Sequence, residues 1–274
     1  MGQMYAWFVL AVLTSIYMQQ QWSRYSLNYL YNVSGDDDIV SIKKADSISY
    51  ADYGILTGYG FSATFCLAGL FAGRLADVSS RKLSIFFGVA VWNCALFMVG
   101  YSHSFPQVLT WRLLLGFGQA FSNPASYSLI ADYFPEEQRA QANGLFACGV
   151  YIGGGIASMC IQMAGSIGWR DSCFLIAVVG FALAAIHLTL VREPPRVGAA
   201  KKLDAPAAAP ELVAEGPKKS FQEALQQIFG TRLVVLVFVA SSARARRTTG
   251  YTLRILYVLG FESGCVDWHR MRTC

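Results

Sequence analysis

Long uncharged apolar runs alternate with short segments that carry nearly all of the charge. Six of these runs approach the roughly 20 residues that a helix needs to cross a bilayer. They cover residues 5–31, 51–75, 83–101, 105–134, 140–165 and 173–191. Lipid offers the backbone no hydrogen-bond partners, so the runs must be helices. The pattern predicts an all-α, polytopic membrane protein with a six-helix bundle over residues 1–191.

The pattern then changes. Residues 192–230 form a linker, rich in Ala and Pro from Val197 to Pro217. Within it, Phe221, Leu225 and Ile228 share one side of a short amphipathic helix expected to lie on the membrane surface. Residues 231–274 begin like a seventh span, but the apolar run at 233–240 provides only eight residues before Arg244, Arg246, Arg247 and Arg254. Arginine at mid-bilayer is costly, so this segment reads as truncated or mis-spliced. A genuine surface-lying tail is the open alternative.

Composition agrees with the pattern. Apolar types make up 54% of the chain and charged types 14%, against about 25% charged in soluble domains. Mean hydropathy is +0.39. The net charge of +5 sits at span ends and in the linker, which fits anchoring beside lipid headgroups better than a nucleic-acid partner. Arg74, Arg81, Lys82, Arg139, Arg192, Arg196, Lys201 and Lys202 lie on one side of the expected topology. The positive-inside rule places that side, and the N-terminus, in the cytoplasm. The sequon Asn32-Val33-Ser34 then falls outside, as glycosylation requires.

Nothing points to catalysis. His103, His187 and His269 are isolated, and the seven cysteines show no metal-binding spacing. The sequence predicts no enzyme, cofactor or metal. It does place polar residues inside the spans, where they are functional candidates because unpaired polarity in lipid is costly. Gln20, Arg24 and Asn28 recur every four residues in the first span, and Arg112, Gly116, Gln119 and Asn123 align in the fourth. Such stripes line a hydrated cavity or join helices by hydrogen bonds.

Several motifs give these features a family context. Gly73-Arg74-Leu75-Ala76-Asp77, followed by Arg81-Lys82, resembles the signature loop of the major facilitator superfamily between its second and third helices. Arg112 to Gly118 resembles its fourth-helix motif, and Gly168-Trp169-Arg170 its sixth-helix start. The order of these motifs identifies the chain with the N-terminal half of that fold. Ser128 to Pro135 with Gln138-Arg139, and Asn28-Tyr29, resemble the spinster-like subfamily. That resemblance implies a small or lipid-like solute, among them lysophospholipid or sphingolipid, moved by alternating access. It implies a substrate site at Gln20, Arg24, Asn28, Arg112, Gln119 and Asn123. It also implies a cytoplasmic gate at Gly73, Asp77, Arg81, Asp132 and Arg139.

Four positions depart from the family pattern. Ser23 and Gln119 stand where such carriers usually have carboxylates, and neither can titrate, which favours facilitated diffusion. Val78 and Ser80 replace a basic residue and a glycine of the signature loop. Besides membrane lipids and the solute, the expected partners include a second half-transporter or a second copy of the chain. A regulatory protein that binds a full-length relative is the alternative from another functional class. Neither the membrane nor the direction of transport is legible in the sequence.

Overall fold

The computed structural model describes residues 2–31, 42 and 50–194, without the side chains of residues 50, 51, 59 and 76–78. The chain divides into Met1–Asp204 and Ala205–Cys274, and every described residue belongs to the first unit. The sequon, most of the linker, its amphipathic helix and the tail lie outside the described residues.

Among the described residues every regular element is helical. Helix α1 spans Gln3–Leu30 and α2 Tyr50–Gly54, which a π-helical turn at Ile55–Tyr59 joins to α3, Gly60–Val78. The remaining helices are α4 Arg81–Gly100, α5 Phe105–Ala120, α6 Ser122–Tyr133, α7 Glu136–Ser158, α8 Cys160–Ile167 and α9 Trp169–Leu190. Local chemistry sets their ends. The Ser80 hydroxyl accepts from the Leu83 amide at 3.3 Å and caps α4. Pro135 is extended and hands α7 an acidic first turn, Glu136 and Glu137. Gly168 has φ 86°, a conformation in which a side chain would be strained, and it turns the chain directly into α9. That turn starts the sixth pass at Trp169, earlier than the apolar run at 173 indicates.

Two passes contain breaks that hydropathy does not show. The fourth divides at Phe121 into α5 and α6. Pro124 lies four residues after Ala120, has no amide to donate to it, and crowds its carbonyl. The fifth divides at Met159, whose amide bonds back to Ile156 at 3.0 Å in a tightened turn. Among the described residues four segments are both long and apolar enough to cross a membrane: Asp52–Leu75, Arg81–Gly100, Glu136–Ile167 and Trp169–Leu190. Helix α1 is long but carries Gln19, Gln20, Gln21 and Arg24, and the fourth pass is divided.

Helix α1 packs on α7 and α9, and α4 packs on α5, α6 and α9, while α5 also holds α3. The core between them includes Val9, Leu13, Ile16, Ile85, Val89, Trp92, Leu96 and Ile176. A buried amide network pins α1 there. Gln19 donates to Asn93 at 2.7 Å and to the Ile176 carbonyl at 3.2 Å, and accepts from the Trp92 indole at 2.9 Å. The outer faces keep large apolar side chains exposed, among them Leu67, Phe71, Val178 and Tyr151, as a bilayer or a second half of a carrier requires.

Candidate functional site

Gln19 is buried against α4 and α9, and the next residues of α1 turn toward α5. Gln20 donates to the Gln119 carbonyl at 3.1 Å, and the Gln119 amide donates to the Gln20 carbonyl at 3.1 Å and to the Ser23 hydroxyl at 3.0 Å. With its nitrogen so committed, Gln119 presents its oxygen to Arg24, whose Nε donates at 3.1 Å. The ring Gln20–Ser23–Arg24–Gln119 is closed by neutral acceptors throughout.

Arg112 occupies the next layer. Its guanidinium donates to the Arg24 carbonyl at 2.7 Å and to the Leu56 carbonyl at 3.3 Å. Leu56 belongs to the π-helical turn, where widened backbone geometry accommodates an inserted side chain. Gly116 permits the approach of α3 and α5, since a Cβ there would lie 2.6 Å from the Thr64 hydroxyl oxygen. The Arg24 guanidinium also lies 4.6 Å from the Phe61 ring centroid and 4.7 Å from that of Phe65, and Arg112 lies 5.2 Å from Phe61, within cation–π range.

Arg112 is 2% exposed. No carboxylate among the described residues pairs with it or with Arg24. One Arg24 terminal nitrogen and the amide oxygens of Gln20, Asn28 and Asn123 are buried without a protein partner. The structure thus joins Gln20, Arg24, Arg112 and Gln119 directly. It sets Asn28 and Asn123 one helical turn along, each with a free acceptor. Phe61, Phe65 and the Leu56 carbonyl complete the centre. None of the three is marked by charge or spacing in the sequence.

A second polar cluster closes the end of the bundle where α4 begins. Arg81 is 2% exposed and forms an ion pair with Asp132, and its Nε donates to Glu193 at 3.3 Å. It also donates to the Ser128 hydroxyl at 3.2 Å and to the Pro194 carbonyl at 3.3 Å. Its backbone amide donates to the Glu193 carboxylate at 2.9 Å, which Ser80 also meets through its hydroxyl. Burial pushes the Glu193 carboxyl upward, but these bonds and the Arg81 charge outweigh it and hold the group below its ordinary value. Arg139 does not join this cluster: it donates to the Phe134 carbonyl at 3.0 Å and lies 3.9 Å from Glu136. Gly73 has open space where a Cβ would stand, and the Asp77 side chain lies outside the described residues. Glu193 escaped the sequence reading because 112 residues separate it from Arg81.

A bundle of helices of membrane-spanning length around a cation-bearing polar centre is the architecture of part of a solute carrier. The chain belongs to the Major Facilitator Superfamily, whose family description matches residues 1–264, and the bundle corresponds to the N-terminal portion of that fold. It is spinster-like: human "Protein spinster homolog 1" is 30% identical over 192 residues, 66% of this chain and 35% of that protein. The Bacillus subtilis "Hexuronate transporter" is 27% identical over 137 residues, 50% of this chain and 32% of that protein. A solved bacterial homologue of the human lysosomal transporter spinster, inward-facing and unoccupied, superposes with TM-score 0.63 at 26% identity. That match covers 72% of this chain and 45% of the bacterial one. The chain therefore spans about a third of the length of these curated relatives. Those relatives are transporters, not enzymes.

Proposed function

We propose that the bundle is the anion-binding half of an alternating-access carrier for a hydroxylated organic anion. The observation that carries this reading is the pair Arg24 and Arg112, held side by side without a carboxylate. Unpaired buried cations are costly, and a bound carboxylate or phosphate satisfies them with charge-assisted, often bidentate hydrogen bonds. The unpartnered oxygens of Gln20, Asn28 and Asn123 are acceptors, which match hydroxyl donors on the same solute. A sugar acid combines both features, and the hexuronate transporter among the relatives supports that class.

A lysophospholipid is the second reading. The Phe61 and Phe65 rings beside Arg24, together with the spinster-like relatives, favour it.

No titratable carboxylate takes part in the central ring, so movement follows the gradient of the anion and the membrane potential without proton coupling. The Arg81–Asp132–Glu193 cluster braces the bundle end at which the halves of such a carrier rock apart, and Asp77, near the end of α3, belongs to the same gate. Uptake into proteoliposomes tests the proposal. A hexuronate should accumulate faster than the corresponding neutral sugar, and Arg112→Gln should abolish that difference. Equal uptake of acid and neutral sugar by the unsubstituted protein would refute it.

A further inference from the structure

A separate groove of about 550 Å³ lies where α1 begins and α9 ends, lined by Gly2, Tyr5, Phe8, Thr189, Leu190 and Arg192. Its floor is apolar: Phe8 and Leu190 are both exposed, at 41% and 51%. Its rim carries one cation. Two hydrogen bonds hold the backbone of that residue in place, and a third ties Tyr5 to the end of α9. The Tyr5 hydroxyl donates to the Leu190 carbonyl at 2.7 Å and accepts from the Arg192 amide at 2.9 Å, and the Tyr133 hydroxyl donates to the Arg192 carbonyl. The Tyr5 ring lies 6.2 Å from Phe8 and 6.0 Å from Tyr133, so an aromatic cluster backs the groove.

The acids near Arg192 are already engaged. Glu193 and Asp132 both bond to Arg81, and no carboxylate among the described residues pairs with the Arg192 side chain. The ends of membrane-spanning helices lie at headgroup depth, where tyrosines and snorkelling arginines anchor proteins to lipid. An exposed arginine with its backbone anchored at the rim of an apolar furrow, at that depth, complements one kind of molecule.

We infer that this groove binds an anionic phospholipid of the surrounding bilayer, with its headgroup phosphate on Arg192 and an acyl chain along Phe8 and Leu190. The site is distinct from the Arg24–Arg112 centre and does not depend on what the carrier moves. Lipid there would tie the start of α1 to the end of α9, both of which also border the Arg81 cluster.

Native mass spectrometry of the full chain, released from micelles containing equal phosphatidylglycerol and phosphatidylcholine, tests the inference. The unsubstituted protein should retain phosphatidylglycerol with about a fivefold preference, the scale of one basic residue at a membrane surface. Arg192→Gln should erase the preference, and Lys82→Gln, at the same end of the bundle, should leave it intact. Thr189→Trp fills the furrow and should lower retention of both lipids while Arg192 remains. An unchanged preference in Arg192→Gln, or unchanged retention in Thr189→Trp, overturns the site. Displacement of the lipid by free glycerol phosphate at equal concentration would show that phosphate alone is recognised, and overturns the lipid assignment.

Discussion

Gln119 decides the character of the polar centre. Its amide nitrogen is used by Ser23 and by the Gln20 carbonyl, so its oxygen must face Arg24. A carboxylate at this position would pair with Arg24 and compete with a bound anion. Gln119→Glu is therefore expected to weaken anion binding about tenfold, the scale of one charge-assisted hydrogen bond, and to make uptake depend on pH. Uptake by the unsubstituted protein should be indifferent to an imposed pH gradient, and both effects can be followed with a radiolabelled sugar acid. The stripes of Gln20 and Arg24, four residues apart, and of Arg112 and Gln119, seven apart, were legible as one-face spacings within single helices. Which way each amide points was not, because that depends on partners 95 or more residues away.

At the level of the elements, hydrophobic runs located the helices to within a few residues, since a span must be apolar along its length. The breaks at Phe121 and Met159 and the π-helical turn were invisible, because they change hydrogen bonding and not hydropathy. They matter for the site: the π turn supplies the Leu56 carbonyl to Arg112, and Gly116 brings α3 against α5. Gly116→Ala would set a methyl group against the Thr64 hydroxyl and the Phe61 carbonyl. Such overpacking is expected to cost about 1–3 kcal/mol and to lower the thermal midpoint in detergent.

The contacts at the end of α9 should respond to acid. Glu193 has its carboxyl below its ordinary value in the fold. The stabilisation it gives is thus complete above the ordinary carboxylate range and fades as pH falls through the depressed value. Hydrogen exchange at the end of α9 should accelerate on acidification in the unsubstituted protein. Glu193→Gln should remove that pH dependence. Arg81→Ala leaves Asp132 and Glu193 without their common partner, and is expected to destabilise the bundle by about 3 kcal/mol, a loss that chemical denaturation would report.

On the scale of the whole molecule, the proposed function makes the bundle one wall of a transport site. The family accounts for the other: its carriers enclose the solute between two such halves, and the relatives extend well beyond the stretch matched here. Apolar faces on α3 and α7, with Phe71 and Tyr151 exposed, give a second half of such a carrier a surface to meet. Asp77→Ala is expected to slow translocation while leaving solute affinity nearly unchanged, as a gate residue would.

The central claim is that Arg24 and Arg112 form an anion site in a carrier. Its most direct test is equilibrium binding of a labelled hexuronate to protein expressed from the native transcript, compared with Arg24→Gln and Arg112→Gln. The structure predicts saturable binding that either substitution weakens by about tenfold or more, with the neutral sugar bound poorly throughout. Binding of the hexuronate that survives both substitutions unchanged would contradict the claim.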